Sequence, residues 1–282
     1  MRLLGRGAHG VVYLKQDSCT AVKRMAVTEP DKSEYGVSVT VMRELHILEE
    51  MLPHPHVVRY IGKLVHDGLI YIEMEFLPIS LQTLMKGRLS EKVSRTYARH
   101  ILLGLQHCHD EMKIVHRDLK PENLLVGLDG NLKLADFGLS RSLLCKDGKF
   151  DPMASGKYTP QMVTLWYRSR EVLVGENYGV NVDMWSVGCI VYEMVQGHVL
   201  FKGQSEMDMI KQIDALVDEE SRQLNDRSLI RDADAMRFVE FTLGRPSRSL
   251  CASSALKSYA FVSKRSQGPV QAEGLGQHPT LL

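Results

Sequence analysis

Two short stretches hold the residues whose types and spacing could carry out chemistry. Residues 116–123 read His-Arg-Asp-Leu-Lys-Pro-Glu-Asn, and a second stretch, Asp-Phe-Gly, begins at Asp136. Asp118 offers a carboxylate that could accept a proton, and Lys120 adds a positive charge close to it. Asn123 and Asp136 offer the hard oxygen ligands that Mg²⁺ prefers. Turn capping explains either Asp118 or Asn123 alone, but it does not explain four such residues in register.

A glycine-rich stretch near the start could approach phosphate groups. Gly5, Gly7 and Gly10 follow the pattern G-x-G-x-x-G, and Val12 comes shortly after them. Without Cβ atoms, backbone N–H groups can come close to phosphate oxygens. The same pattern fits a dinucleotide-binding fold, which needs a helix after it and an acidic residue about twenty positions later. Here a β-type run and a lysine follow instead. A plain glycine-rich hairpin is the third explanation.

The elements that must position these residues change in type near residue 76. Strands are predicted at 11–14, 20–23 and 69–76, and helices at 41–51, 93–109, 182–196 and 206–217. The first helix follows from the spacing of Val41, Leu45, Leu48 and Leu52. We therefore expect an α+β fold class, with a β-rich part before a helical one. Residues 263–282 are rich in Gly, Gln, Ser and Pro without periodicity, which predicts a disordered tail.

Length and composition limit the class of protein. The chain has 282 residues, enough for one large domain or two lobes around a cleft. Its formal net charge of +1 indicates neither a nucleic-acid-binding face nor a basic membrane-binding stripe. Its five cysteines are scattered without a C-x-x-C spacing, and no apolar run reaches the length of a membrane span. We therefore expect a reduced intracellular protein, in the cytoplasm, the nucleus or both, with no nucleic-acid or membrane partner.

Taken together, residues 116–123 and the Asp-Phe-Gly at 136–138 resemble the catalytic core of the eukaryotic protein kinases. The resemblance covers roughly residues 4–213 and resumes at 235–261. It implies a two-lobed protein-kinase fold, with a small β-rich N-lobe and a larger helical C-lobe. The lobes would span residues 1–76, with the first strand clipped, and residues 77–262, with a shortened stretch between 213 and 235.

The resemblance also implies an enzyme that transfers the γ-phosphoryl group of ATP, with Mg²⁺, to a protein. Asp118 would accept or orient the proton of the substrate hydroxyl. Lys120 would neutralise charge on the transferred group. Asn123 and Asp136 would hold Mg²⁺. Catalysis would depend mostly on positioning and on electrostatic stabilisation.

The same resemblance places the nucleotide against the N-lobe. Lys23 would contact the α- and β-phosphates, and Glu44 would pair with it and orient it, although a lone lysine in a strand is usually a surface residue. Glu75 and Leu77 would offer main-chain groups to adenine. Met74 would be the gatekeeper, or otherwise an ordinary core methionine. The expected nucleotide site comprises Leu4, Gly5, Gly7, Gly10, Val12, Lys23, Glu44, Glu75 and Leu77.

Three further stretches are similar to the cyclin-dependent kinases. Residues 36–44 match their G-x-P-x-T-x-x-R-E helix, with Ser38 in place of the proline. Residues 158–168 look like their activation segment, and residues 180–190 match the group again. The similarity implies a serine/threonine kinase that phosphorylates proteins before proline. It further implies activation by a phosphate on Thr159 and by a cyclin-type subunit.

This activation scheme assigns further residues. Arginines would surround the phosphate on Thr159, because bidentate arginine contacts can order such a segment. They are Arg43, Arg117 and Arg141. The pocket for the substrate proline would involve Val163, Thr164 and Arg168. Without its partner, the chain is expected to rest in an inactive arrangement, with the lysine and the glutamate of the nucleotide site apart.

The sequence departs from the group in three places. Arg170 stands at the proline of the A/S-P-E triplet, and Ser249 stands at the arginine that would pair with Glu171. Ser80 stands where relatives often have an aspartate near the ribose. Two alternatives therefore stay open. One is a mitogen-activated-type kinase that needs no cyclin, although the T-x-Y signature is absent. The other is a non-catalytic scaffold with a kinase fold, although the expected Lys, Asp and Asn are all present.

Overall fold

The computed structural model of the chain describes residues 1–7, 10–16, 19–25, 39–143, 164–176, 178–219, 233–243, 251–258 and 262. The tail predicted at 263–282 lies outside the described residues, and so does most of the stretch between 213 and 235 that was expected to be shortened. Within the described ranges, no helix is long and apolar enough to cross a membrane.

The N-terminal part is an antiparallel sheet of five strands in the order β1-β2-β3-β5-β4. The strands are β1 Arg2–Gly7, β2 Gly10–Leu14, β3 Thr20–Met25, β4 Tyr60–His66 and β5 Leu69–Glu75. Asp67 and Gly68 join β4 to β5 with φ values of 50° and 72°, as a two-residue type I′ turn requires. The register sets Lys23 opposite Val12 and Ile72. Lys23 therefore points to the same face of the sheet as Ile72, which is fully buried.

Helix α1, Val39–Glu50, packs against this face of the sheet. Its buried side chains include those of Val41, Glu44, Leu45, Ile47 and Leu48. Leu52 was predicted to continue the apolar stripe, but it is 58% exposed. The helix ends at Glu50, and Pro53 disfavours a helical conformation at the residue before it. Because Glu44 lies on the buried side of α1, its carboxylate faces the sheet.

Helices are the main elements of the described residues that follow the sheet. They are α2 Leu81–Leu84, α3 Glu91–Gln106, α4 Arg170–Val174, α5 Asn181–Gln196, α6 Glu206–Glu219, α7 Ala233–Leu243 and α8 Ala252–Ser258. Most side chains of α5 are buried, and the helix packs against α3 and α7. At Gly188 a Cβ atom would overlap the side chain of Thr242 on α7, so this glycine permits the close approach. The predicted α+β fold class, β-rich first and helical afterwards, is confirmed.

Short strands carry the segments between the helices. They are β6 Ile79–Ser80, β7 Ile114–Val115, β8 Leu124–Val126, β9 Leu132–Leu134 and β10 Arg141–Ser142. β8 lies between β6 and β9 in a small sheet, and β7 pairs with β10. The stretch 116–123 therefore runs from the end of β7 to the start of β8, and β9 leads directly towards Asp136.

The helix predicted over 93–109 is two elements. α3 ends at Gln106, and a π-helical turn, His107–Glu111, continues it. The N–H of Met112 donates to the carbonyl of His107 at 3.0 Å. This wider turn accommodates one residue more than an α-helical turn. It places His107 beside the end of α1, where its Nε2 lies 3.0 Å from the carbonyl of Leu52.

Four histidines stack between the end of α1 and β9. His54 lies flat on His107, with ring centroids 4.7 Å apart, and His56 lies on His100 at 4.1 Å. Burial, together with the charges of neighbouring histidines, lowers the pKa of His54 to about 4. Burial and the neighbouring charge of His56 likewise lower the pKa of His100 to about 3. His54 and His100 are therefore neutral in the folded protein at physiological pH.

This arrangement predicts loss of stability in mild acid. An unfolded histidine takes up a proton below about pH 6.5, whereas His54 in the folded chain does so only near pH 4. Protons then bind preferentially to the unfolded state, and the stability present above pH 6.5 is lost as the pH falls towards 4. Thermal unfolding midpoints recorded from pH 7.5 to 4 should fall more steeply for the wild type than for His54→Phe. Parallel curves for the two proteins would contradict this assignment.

Candidate active site

A buried ion-pair network lies between the N-terminal sheet, α1 and the segment after β9. The Nζ of Lys23 lies 2.6 Å from Oε1 of Glu44 and 2.9 Å from Oδ1 of Asp136. Lys23 is 6% and Glu44 1% exposed. Burial by itself lowers the pKa of Lys23, but the carboxylates of Asp136 and Glu44 outweigh it and raise that pKa above its ordinary value. The lysine is therefore fixed as a cation.

This pairing differs from the resting arrangement that was expected for the chain without a partner. The structure brings Lys23 and Glu44 together instead of holding them apart. In this joined arrangement, Glu44 orients Lys23 towards Asp136. A buried pair of this kind is costly to break, at about 3–5 kcal/mol when one partner is removed.

A second cluster forms at residues 116–123. Oδ2 of Asp118 accepts hydrogen bonds from Nζ of Lys120 at 2.8 Å and from Nδ2 of Asn123 at 3.0 Å. Nδ2 of Asn123 also donates to the main-chain carbonyl of Asp118 at 2.8 Å. The amide nitrogen of Asn123 is therefore used within the loop, and its oxygen is left as the atom suited to a cation. A 3₁₀ turn, Pro121–Asn123, brings the three side chains together.

Asp183 on α5 holds the loop of residues 116–123 through its backbone. It is fully buried on α5 and accepts the N–H of His116 at 2.8 Å, the N–H of Arg117 at 2.7 Å and a hydrogen bond from Nε2 of His109 at 2.8 Å. Burial alone raises the pKa of Asp183, but the hydrogen bond and charge of His109, together with the charge of His116 and the N–H of Arg117, outweigh it and lower that pKa. Arg117 has a left-handed φ of 69°, a conformation that a non-glycine residue keeps only where its surroundings impose it. Asp183 therefore braces the backbone of the loop, as predicted.

His116 and Phe137 pack together behind the charged groups. Both are fully buried, and their ring centroids are 5.0 Å apart. Nδ1 of His116 accepts the N–H of Asp118 at 3.4 Å, so the proton is on Nε2, which donates to the carbonyl of Ala135 at 3.0 Å. His116 thus ties the loop to the residue before Asp136. This agrees with the prediction that both residues are packing groups.

Asp136 is held beside Asn123 by the main chain. The N–H of Ala135 donates to the carbonyl of Asn123 at 2.9 Å. Asp136 itself has a left-handed φ of 63°, and its carboxylate reaches Lys23. A carboxylate and an amide oxygen on adjoining segments are the hard ligands that Mg²⁺ takes in combination with phosphate oxygens. The two residues therefore fit the cation for which they were predicted.

The glycine-rich stretch is the hairpin of β1 and β2. Gly5 lies opposite Val12, and Gly7 lies opposite Gly10. Gly10 has a φ of 146°, and a Cβ atom there would overlap the main-chain carbonyl of Arg24 on β3, so only glycine allows β2 and β3 to approach this closely. Leu4 on β1 is exposed. A dinucleotide-binding fold requires a helix after these glycines. A strand follows here, so the stretch does not fit that fold.

The predicted adenine-contacting residues lie at the connection between the two parts of the fold. Both carboxylate oxygens of Glu75 lie 2.8 Å from Nζ of Lys133 on β9. Oε1 of Glu75 also accepts the N–H of Arg59 at 2.7 Å. The side chain of Glu75 is thus used within the protein, and Leu77 follows it half-buried. Ser80 accepts the N–H of Thr83 at 3.2 Å and caps α2.

The predicted arginines gather near the end of β7. Nε of Arg117 donates to the carbonyl of Leu139, and its Nη1 donates to Oη of Tyr178, both at 2.6 Å. Arg141 on β10 pairs in register with Val115, two residues before Arg117. Burial and then the positive charge of Arg117 lower the pKa of Arg43. Cations crowded in this way favour an anion between them.

Several predicted residues lie outside the described part of the chain, and others lie close to its edge. Thr159 and Val163 lie outside the described residues, and so does Ser249. Thr164 is half-buried, and Arg168 is buried with its main-chain N–H donated to the carbonyl of Leu165 at 3.1 Å. The assignments of a phosphorylation site and of a proline pocket therefore remain predictions.

Other side chains in and around the site could not be found from the sequence. Tyr178 binds Arg117, and Lys133 binds Glu75 across 58 positions of the chain. Arg170, which departs from the expected triplet, pairs with Asp214 on α6 at 2.8 Å. No local pattern marks such pairs, because their partners are brought together only by the fold.

Comparison with known proteins agrees with this geometry. The chain matches the family "Protein kinase domain" over residues 1–257. It is 39% identical over 221 residues to "Cell division control protein 2 homolog 3" of Trypanosoma brucei brucei, a match that covers 76% of this chain and 67% of that protein. The chain therefore belongs to the protein kinase family.

Membership of the family carries the general activity. A protein kinase uses ATP, normally with Mg²⁺, and phosphorylates protein substrates. The similar Trypanosoma protein and the family match together support a serine/threonine phosphotransferase. The resemblance to the cyclin-dependent kinase group is confirmed at the level of sequence similarity.

The two charged clusters predict that single substitutions abolish phosphoryl transfer. Asp118→Asn removes the group assigned to the substrate hydroxyl, and Lys23→Met removes the cation assigned to the phosphates. Losses at groups that act in the transition state are typically orders of magnitude. We expect each variant to lose at least about 100-fold in kcat in a peptide kinase assay, with its circular dichroism spectrum unchanged.

The matched controls for these variants lie on α6, away from both clusters. Asp208→Asn and Lys211→Met make the same chemical changes there and should keep wild-type activity. Near-wild-type turnover by a well-folded Asp118→Asn or Lys23→Met protein would remove the catalytic assignment.

Proposed function

We propose that this chain is a serine/threonine kinase of the cyclin-dependent type that transfers the γ-phosphoryl group of Mg-ATP to protein substrates with Ser-Pro or Thr-Pro. The observation that carries the proposal is the placement of one buried lysine. Lys23 is held by Glu44 on α1 and by Asp136 after β9. The cluster of Asp118, Lys120 and Asn123 lies on the adjoining loop. The proposal requires that these two clusters act on one nucleotide.

In this proposal the chain works mainly by positioning and by electrostatic stabilisation. The hairpin of Gly5, Gly7 and Gly10 approaches the phosphates with its main chain, and Lys23 holds the α- and β-phosphates. Asp118 orients the hydroxyl of the substrate and receives its proton.

The other groups deal with the charge on the transferred phosphoryl. Lys120 offsets the negative charge that builds up on it. Asn123 and Asp136 would hold Mg²⁺, which when bound would neutralise phosphate charge. Loss of any one of these groups leaves that charge uncompensated in a partly buried site.

The arginine cluster supports activation by a phosphate on Thr159. A phosphate brings close to two negative charges and three acceptor oxygens. Arg43 lies on the same helix as Glu44, and the positive charge of Arg117 repels its guanidinium group. A phosphate held among Arg43, Arg117 and Arg141 would offset this repulsion and tie the activation segment to α1.

A cyclin-type partner would act on the same helix. If the isolated chain keeps Lys23 and Glu44 together in only one molecule in a hundred, a mostly active population needs on the order of 3–5 kcal/mol. A partner supplies this by binding the joined arrangement more tightly than the separated one. An interface of modest size is sufficient for that difference.

The setting we propose is intracellular, in the cytoplasm or the nucleus. Its support is the pattern of cysteines. The four cysteines of the described residues, Cys19, Cys108, Cys189 and Cys251, are all free. Free thiols in a chain of this size are typical of reducing compartments.

The activation scheme predicts the effect of removing the phosphate acceptor. Thr159→Ala should strongly lower the activity of the partner-bound kinase, and Ala at Arg43, Arg117 or Arg141 should mimic it. Thr159→Glu should rescue little, because one carboxylate cannot occupy three arginine forks. Arg95→Ala, which removes an ion pair on α3, is the matched control and should keep its activity. The measurement is a peptide kinase assay with and without the co-purified partner.

One outcome would remove the cyclin-dependent interpretation and leave only the general kinase activity. It is full activity of the purified, unphosphorylated single chain that does not change on Thr159→Ala. Such a result would favour a kinase that needs no cyclin. Failure of the folded chain to bind ATP with Mg²⁺ would instead favour a non-catalytic scaffold.

Substrate choice gives a separate prediction. Val163, Thr164 and Arg168 are assigned to the pocket for the residue after the phosphorylated one. Proline is preferred there because it has no N–H, whereas another residue would bury an N–H without a partner. A peptide library should show at least about a tenfold preference for Ser-Pro over Ser-Ala, equivalent to about 1.4 kcal/mol. Equal rates for the two peptides reject the proline-directed assignment.

A further inference from the structure

The short strand β9 is held by two histidine side chains at its first residue. His56, which follows α1, and His100, on α3, both reach the main chain of Leu132. Nδ1 of His56 is 3.0 Å from the carbonyl of Leu132, and the N–H of Leu132 donates to Nδ1 of His100 at 3.3 Å. The two rings stack on each other, with centroids 4.1 Å apart and an angle of 23° between the planes.

These contacts define the proton positions of both rings. A carbonyl only accepts, so His56 carries its proton on Nδ1. A backbone N–H only donates, so Nδ1 of His100 is bare and its proton is on Nε2. One ring therefore donates to Leu132 and the other accepts from it. The first contact requires a proton on Nδ1 of His56, and the second requires that Nδ1 of His100 has none.

The surroundings favour the neutral form of both rings. Burial lowers the pKa of His56 and outweighs the hydrogen bond to the Leu132 carbonyl, which raises it; the charges of Lys133 and Arg99 lower that pKa further. Burial, followed by the charges of His56 and Arg99, lowers the pKa of His100 to about 3. At neutral pH the pair therefore keeps its complementary donor and acceptor.

The main chain of the same segment extends the contact along β9. The N–H of Leu134 donates to the carbonyl of His56 at 3.0 Å, and the N–H of Val58 donates to the carbonyl of Leu134 at 2.9 Å. Between them, Lys133 is held by Glu75. Each residue of β9 is thus tied to the segment after α1 or to the end of β5.

The contacts of β9 matter for the site because Asp136 follows this strand closely. This residue lies two positions beyond Leu134, with a left-handed backbone and a bond to Lys23. A strand with fixed ends leaves little freedom to the carboxylate that comes after it. Loss of a group that hydrogen-bonds directly to a metal ligand typically costs 10–100-fold in metal affinity or activity. His56 and His100 act one step further out, through the main chain of β9.

We infer that His56 and His100 are positioning residues, which set the register of β9 and thereby aim the Asp136 carboxylate at the cation of the nucleotide. This inference rests on the proposed function, because it takes Asp136 as a metal-holding group. Both histidines act through Leu132 and not by touching the nucleotide. Their effect should therefore be specific to steps that need the cation.

The test separates the hydrogen bond from the ring. His56→Asn keeps a side-chain N–H donor close to the position of Nδ1 but removes the ring, and His56→Leu removes the donor as well. His100→Phe keeps a stacked ring and removes the acceptor. His107→Phe is the matched control, since it also removes hydrogen bonds from a stacked histidine, but its partners are Leu52 and Glu111 and not β9.

Two measurements are made on each folded full-length protein. The first is binding of ADP by calorimetry, with EDTA and with increasing Mg²⁺. The second is the Mg²⁺ concentration for half-maximal kinase activity, with kcat and KM for ATP. The thermal unfolding midpoint and the circular dichroism spectrum show that each variant is folded at the assay temperature.

We expect His100→Phe and His56→Leu to need about tenfold more Mg²⁺ for the same gain in ADP affinity. ADP binding in EDTA should not change. His56→Asn should restore the wild-type Mg²⁺ requirement, and His107→Phe should lower the unfolding midpoint without altering that requirement. If His56→Leu does not fold, His100→Phe is still compared with His107→Phe. If His100→Phe does not fold, His56→Leu is still compared with His56→Asn.

Two results overturn the inference. One is a wild-type Mg²⁺ requirement in folded His100→Phe or His56→Leu. The other is an equal change in His107→Phe, which would show a general loss of stability. Asp136→Asn distinguishes this from failure of the proposed function. If that variant keeps the Mg²⁺ dependence of ADP binding, the assignment of Asp136 itself fails.

Discussion

The rest of the structure depends on one buried charge. The side chain of Lys23, on β3, points to the buried face of the N-terminal sheet, where Glu44 and Asp136 both neutralise its ammonium group. Those two carboxylates belong to segments that are far apart in the chain. The charge therefore holds α1 and the end of β9 in one arrangement. Movement of α1 away from the sheet would separate Glu44 from Lys23 and leave the lysine paired with Asp136, at a cost in free energy that a regulator of α1 must supply or remove.

A second constraint acts from the helical part. Asp183 is fully buried on α5 and accepts backbone N–H groups from His116 and Arg117. These hydrogen bonds keep Arg117 in a left-handed conformation that its side chain disfavours. Because the loop is fixed in this way, Asp118 and Asn123 need no rearrangement to stay together. The loop is thus preorganised, which is how electrostatic catalysis avoids the cost of reorganisation during the reaction.

The two constraints meet at β9. Its main chain is bound by the segment after α1 and by His100 of α3, while Ala135 binds both Asn123 and His116. The strand is short, but nearly all of its main-chain groups are used. It therefore connects the position of α1, the loop that carries Asp118 and the carboxylate of Asp136. A regulator that moves α1 would therefore act on Asp136 through this strand as well as through Lys23.

Local sequence determines the chemistry of this protein, but not its geometry. The order of Asp118, Lys120, Asn123 and Asp136 was enough to predict the class of reaction, because these residues act within short stretches. Leu52 was placed wrongly on α1, since periodicity does not indicate where a helix ends. The sequence alone also could not reveal the joined state of Lys23 and Glu44 or the contacts of two histidines with β9. Those contacts join distant segments, and only the packed tertiary structure decides which buried charges and hydrogen-bonding groups find each other.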